Sequence, residues 1–164
     1  MPLDPRTPVI VGVAQVTDRV DDPTVARTPL ELMIDAGRSA AIDATAPGSE
    51  ASVDVVAVVG GIWSYRDPGR QVADALGASA ATTLLTGLSG TSPQRLLAHL
   101  STRIADGELD AALMVGGEVF RSRRRARRLE VIVRRDVDEA LPPAERFEGG
   151  LDMATDHEES RGLI

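Results

Sequence analysis

The chain has 164 residues, 43% of them hydrophobic and 26% charged, enough for one globular domain with its own core. A net charge of −7 argues against general nucleic-acid binding. There is no cysteine, which excludes disulfides, thiolate metal ligands and a thiol nucleophile.

Lysine and asparagine are absent and the basic side chains are arginine; we read this as coding bias. No apolar run approaches the roughly 20 residues of a membrane helix. The start, MPLDPRTPVIVGV, has neither the basic head nor the long apolar stretch of a signal peptide. A cytoplasmic location without membrane contact is expected. His99 and His157 lie far apart in the chain, so no metal site is expected.

Residues 1–7 are a polar, proline-rich leader. PVIVGVAQV (8–16) is apolar on both alternating faces, which predicts a strand covered on both sides. A polar loop over 17–27 leads to Thr28-Pro29-Leu30-Glu31, a capping-box signature with proline in the first turn. The helix that follows runs to about residue 45, with Leu32, Met33, Ala36, Gly37, Ala40, Ala41 and Ala44 at helical spacing. Pro47-Gly48-Ser49 ends it.

Residues 53–61 (VDVVAVVGG) read as a second buried strand. Trp63 and Tyr65, the single tryptophan and tyrosine of the chain, follow in the loop at its carboxyl end, the edge where open α/β sheets place ligands. Rings in that position equally suit the edge of a core or a subunit contact. Asp67-Pro68 caps a short helix over 68–76, stopped by Gly77. A third strand is predicted over 81–88, a helix over 92–105 and a fourth strand over 110–117. The helix carries Leu96, Leu97, Leu100 and Ile104 as an apolar stripe, with Arg95, His99, Thr102 and Arg103 on a second face. The order βαβαβαβ predicts a three-layer αβα fold of the α/β class with a mainly parallel sheet. The expected strand order is 81–88, 53–61, 8–16, 110–117.

The turn Gly87-Leu88-Ser89-Gly90-Thr91-Ser92-Pro93 opens directly into the third helix. Thr91 or Ser92 can cap it, and Pro93 suits a first turn. Such a helix start directs backbone N–H groups and partial positive charge at the turn, and Ser89 occupies the place a nucleophile would take. The dipole contributes about 0.3–1 kcal/mol, up to about 2, or at most one or two pKa units. That does not ionise a serine hydroxyl, which needs an adjacent base, and neither histidine is near in sequence. Ser89 is therefore read as a turn residue or a substrate-positioning hydroxyl rather than an acyl acceptor.

The stretch Thr86–Gln94, with Gly107-Glu108-Leu109-Asp110 and Val115-Gly116-Gly117-Glu118 behind it, resembles the thiolase superfamily. There an N-R-x-C-G-S-G-L-Q turn precedes an apolar helix, a G-x-x-D step and an A-G-G-x-E strand end. Gly90, Gln94, Gly107, Asp110, Gly116, Gly117 and Glu118 match, and Ser89 stands in place of the nucleophilic cysteine. The G-x-[ST]-P-Q-like loop is similar to acetyl-CoA acetyltransferase and lipid-transfer-type thiolase-like proteins. The resemblance, over roughly residues 8 to 128, implies the N-terminal half of a thiolase fold and a coenzyme A thioester as substrate, with no tightly bound cofactor. It implies substrate contacts at Gly90, Thr91, Trp63 and Tyr65.

Beyond Glu118 the chain changes character. Arg121 to Arg128 is strongly basic, and an acidic tail follows (Asp136, Asp138, Glu139, Glu145, Glu148, Asp152, Asp156, Glu158 and Glu159). We read a solvated helix balanced by that tail; the resemblance adds contact with coenzyme A phosphates, which arginine pairs well with. The expected organisation is a thiolase-like α/β domain over 1–120, then a basic helix and the start of a loop region over 121–164.

Family members take a histidine (G-H-P), an asparagine (N-E-A-F) and a second cysteine (C-x-G-G-G) from a second half, and none of these segments occurs here. The expectation is a truncated or split thiolase-like acyltransferase portion, inactive alone. A homodimer or a chain supplying the second half would complete it. The alternatives are a retro-aldolase component acting on acyl-CoA with an OB-fold partner, and a non-catalytic partner-binding fragment. A nucleotide-binding domain ranks lower, since neither G-x-G-x-x-G nor G-x-x-x-x-G-K-[ST] is present.

Overall fold

The computed structural model describes residues 4–134 and 141–147. Its elements are α1 (Pro29–Asp43), a 3-10 turn (Ser49–Ser52), β1 (Val55–Val58), α2 (Pro68–Leu76), β2 (Thr82–Thr86), α3 (Ser92–Ala105), β3 (Ala112–Val115), α4 (Phe120–Leu129) and β4 (Glu145–Phe147). The strands form one parallel sheet in the order β3-β1-β2-β4. β1 is central, with Val55 level with Thr82 on one side and Ala112 on the other.

The layering follows from crossover handedness. From β1 the chain steps to β2 through α2. From β2 it returns past β1 to β3 through α3. Right-handed crossovers in opposite directions put their helices on opposite faces. Accordingly α1 and α2 bring Leu30, Met33, Val72, Ala73 and Leu76 against Val56, Val58, Leu85 and Val115. On the other face, Leu96 and Leu100 of α3 cover Val55, Ala57 and Leu84. All four β1 side chains are buried, as a strand covered on both faces requires.

Local sequence explains the helix ends. The Thr28 hydroxyl accepts the Glu31 N–H at 3.2 Å, and the Glu31 carboxylate accepts the Thr28 N–H at 2.8 Å. Burial alone would raise the Glu31 carboxyl; the Thr28 N–H and the Arg134 and Arg27 guanidiniums outweigh it and hold the group below the usual range. Buried Asp67 caps α2 through the Arg70 N–H at 2.8 Å and accepts the Thr83 hydroxyl at 2.9 Å. At the amino end of the sheet, Asp54 Oδ2 accepts the Asp110 and Ala111 N–H groups at 2.8 and 3.0 Å. These two amides, Ala111 first, lower the Asp54 carboxyl.

Three features differ from expectation. Residues 8–16 form no strand: β1 pairs directly with β3, in the position expected for that segment. The segment runs instead against the second half of α1, with Gly12 so close to the Ala40 carbonyl that no Cβ would fit. With no ladder partner among the described residues, it leaves Val9, Ile10, Val11 and Val13 between 65% and 73% exposed. Conversely, β4 is a strand that weak local periodicity concealed; Ala144 N–H bonds the Arg66 carbonyl at 3.0 Å and leads it onto β2. The stripe on α3 is also divided. Leu96 and Leu100 are buried on the sheet, whereas Leu97 is 40% exposed.

Candidate functional site

The carboxyl ends of β1, β2 and β3 share one edge of the sheet, and the loops leaving them build the site. After β1 the chain passes Gly60 and Gly61. Gly60 N–H bonds the Thr86 hydroxyl at 2.9 Å, and that buried hydroxyl donates to the Gly87 carbonyl at 3.0 Å. A Cβ on Gly60 would meet the Thr86 carbonyl, so the close approach of the two strand ends demands glycine.

The Trp63–Tyr65 loop is held from β3. The Trp63 indole N–H donates to the Gly117 carbonyl at 3.0 Å. Glu118 Oε1 accepts the Ile62 N–H, and the Arg123 guanidinium donates to the Ile62 carbonyl. The Glu118 Oε2 atom is buried without a partner among the described residues. The two rings lie 5.0 Å apart at 42°, within the range of favourable aromatic pairs, and both pack on the α1–α2 side of the core.

Those rings are one wall of a cleft of about 660 Å³. Gly61, Ile62, Ser64 and Leu88 continue that wall, and Arg123, Ala126 and Arg127 of α4 face it with residues 131–134. The lining is mixed: Trp63, Tyr65, Ile62 and Leu88 with Val131, Ile132 and Val133 make it largely apolar, and Arg123, Arg127 and Arg134 bring guanidiniums to it. α4 is anchored by its buried Ser122 and Ala126. Arg121 and Arg125 both reach Asp21, at 3.4 and 3.6 Å, and Arg134 pairs with Glu31 at 2.7 Å.

Ser89 lies in the turn between β2 and α3, half-buried, with Gly90 and Thr91 exposed beside it. Its hydroxyl lies 3.1 Å from the Thr91 hydroxyl and accepts the Thr91 N–H at 3.3 Å. Thr91 sits at the α3 N-cap without a side-chain cap bond. The buried Ser92 hydroxyl instead donates back to Gly87 at 3.0 Å, closing the turn. A Cβ on Gly90 would meet nothing within 4 Å, so the space in front of the turn is open.

The predicted site residues thus fall into two groups, Trp63 with Tyr65 and Ser89 with Gly90 and Thr91. Leu88 joins them: it precedes Ser89 and lines the cleft, whereas Ser89, Gly90 and Thr91 do not line it. His99 stacks on Phe147 of β4 with ring centroids 4.7 Å apart; His157 lies outside the described residues. Among the described residues no group of His, Cys, Asp and Glu has the spacing of a metal site, and no helix is long and apolar enough to cross a membrane. Sequence reasoning missed the bracing role of Glu118 and Arg123. The Gly116-Gly117-Glu118 end of β3 was the available signal for the first; nothing local marked the second.

No family model matches the chain, and no curated protein matches it. Among solved structures it is similar to a monomeric SCP2-thiolase-like protein type 1 from Mycobacterium smegmatis, at 35% sequence identity and a TM-score of 0.63, over 71% of this chain and 25% of that one. The chain therefore spans about a quarter of the length of that protein. The fold is that of a thiolase-like half, with an all-parallel sheet between helical layers.

Proposed function

We propose that this chain is the nucleophile-turn portion of a thiolase-like protein acting on acyl-CoA thioesters, of the acetyl-CoA C-acetyltransferase type, and that it is not catalytic by itself. The observation that carries the reading is the junction at Leu88. The turn holding Ser89 at the start of α3 continues directly into the wall of the Trp63–Tyr65 cleft.

In this reading the cleft sorts a thioester by chemistry. Its apolar wall takes the acyl or pantetheine arm, and Arg123 and Arg127 take phosphate charge, for which guanidinium geometry is well suited. The thioester carbonyl then lies toward the open space at Gly90, and the helix start favours negative charge on its oxygen. Ser89 orients the thioester and does not attack it, because its hydroxyl contacts are to Thr91, which is no base. The proton-transfer groups and any thiol acceptor come from outside this chain. Its own contribution is binding and polarisation.

Trp63 is the single tryptophan and lies in the cleft wall, so its fluorescence reports occupancy. Titration with acetyl-CoA should give a saturable change that weakens with added salt, as phosphate–arginine contacts require. The absence of a saturable response up to millimolar ligand would refute the reading.

A further inference from the structure

The guanidiniums that line the cleft are not equally engaged. Arg134 turns both terminal nitrogens onto Glu31, at 2.7 and 3.2 Å, a two-bond geometry that occupies the fork. Arg123 gives one terminal nitrogen to the Ile62 carbonyl. Arg127 follows Arg123 by one turn of α4 and lines the same cleft, yet it makes no hydrogen bond or ion pair among the described residues. Its whole fork is open to an anion. Around it the lining is largely apolar, with no carboxylate and no side-chain amide among the described residues.

We propose that the cleft recognises the phosphopantetheine part of an acyl thioester, that Arg127 is the residue that selects its phosphate, and that the nucleotide of coenzyme A stays outside. This rests on the acyl-thioester reading of the cleft and adds which part of the molecule is read and by which side chain. Coenzyme A carries a diphosphate, a ribose phosphate and adenine beyond its pantetheine arm. One open guanidinium fork matches one phosphate group, held by two parallel bonds.

The rest of the lining agrees with that division. It offers little to a purine: it lacks an amide or carboxylate side chain for the amino edge, and the Trp63 and Tyr65 rings are engaged with each other at 5.0 Å and with the core. It suits a slender, mostly apolar arm, for which a few placed polar groups fix the orientation. Leu88 joins the cleft to the turn at Ser89, so the thioester end of the arm belongs there and the phosphate end at Arg127. Arg123, tied to Ile62, holds the Trp63–Tyr65 loop against α4 and keeps that span in place.

The test is a ligand series read by Trp63 fluorescence at fixed ionic strength: acetyl-CoA, S-acetyl-phosphopantetheine and S-acetyl-pantetheine. The first two should bind within about threefold of each other, and loss of the phosphate should weaken binding roughly tenfold. Arg127→Gln, at an exposed position, should weaken the two phosphorylated ligands by that factor and leave S-acetyl-pantetheine unchanged. Arg124→Gln removes the same charge from α4 at an exposed position outside the lining and should preserve the phosphate preference. Binding of acetyl-CoA with S-acetyl-phosphopantetheine tenfold or more weaker would show that the nucleotide is read; it would overturn this inference and leave the acyl-thioester reading standing. An R127Q variant that weakens all three ligands alike, or an R124Q variant that matches R127Q, would also overturn it, since a structural role or overall charge would then explain the loss. No saturable response to any of the three would refute the acyl-thioester reading itself, and this inference with it.

Discussion

The indole N–H of Trp63 donates to the Gly117 carbonyl at 3.0 Å. This bond ties the loop after β1, which carries the aromatic wall of the cleft, to the end of β3.

Trp63→Phe keeps a ring on the core and deletes that bond. The Gly117 carbonyl then loses its indole partner, at a cost of about 1 kcal/mol. Chemical denaturation followed by circular dichroism, which does not depend on the indole, should show this loss. Calorimetry should show weaker acetyl-CoA binding. Unchanged stability together with unchanged affinity would mean that the indole bond neither braces the loop nor shapes the cleft.

The bridge at Asp54 predicts an acid-sensitive sheet. Its folded-state carboxyl is lowered by the Ala111 and Asp110 amides, so its contribution is fully present above the unfolded value of ~3.9. It is lost as pH falls from there through the lower folded value. The group is exposed, so the contribution is about 1 kcal/mol at most. Wild type should lose more stability than Asp54→Ala on acidification below about pH 4, and the two curves should converge at the acid end. Parallel curves would show that the amides do not depend on the charged carboxylate.

Much of this architecture was legible because local chemistry and tertiary structure agree. Thr28 and Glu31 announced the start of α1, Asp67-Pro68 that of α2, and Gly77 its end at φ 83°. The continuous apolar run at 53–61 announced a strand covered on both faces. Residues 8–16 have the same pattern and no ladder among the described residues: alternation reports what a strand could bury, whereas the place expected for this segment, between β1 and β3, is closed by their direct pairing. β1 has neither edge free, being paired with β2 and β3. β4 was illegible for the opposite reason: its three residues are too few for a period. At the site, the positions of Trp63, Tyr65 and Ser89 followed from strand ends. The hold of Glu118 on Ile62 spans 56 positions in sequence, and no local pattern encodes a contact at that separation.

The capping box offers a local test of how α1 is held. Thr28 is 2% exposed and exchanges two hydrogen bonds with Glu31. Thr28→Ala should destabilise the protein by about 1 kcal/mol, while Thr28→Ser should recover most of it. Equal losses for both substitutions would assign the effect to the buried methyl group instead of the cap. Thermal or urea unfolding of the two variants distinguishes these outcomes.

Ser89 gives the last prediction. The turn places its side chain before the first turn of α3, where the helix start favours an anion, and the contacts of its hydroxyl are to Thr91. A thiol ionises near ~8.5 unperturbed, within reach of such a field; a hydroxyl does not. Ser89→Cys should therefore yield a cysteine with a depressed pKa, more reactive toward iodoacetamide than Ser39→Cys or Ser49→Cys. Wild type should take up no acetyl group from acetyl-CoA, because no base adjoins the hydroxyl. Neither form should turn over substrate, since Ser89 and Thr91 supply no proton-transfer group. A pH series of alkylation on the variants and mass spectrometry of wild type after exposure to acetyl-CoA read these expectations directly. An acetyl increment of roughly 42 Da on Ser89 would show that a base reaches it after all. An alkylation pKa no lower than about 8.5 in S89C would show that the α3 start exerts no useful field on the turn, and the substrate-positioning role assigned to Ser89 would fall with it.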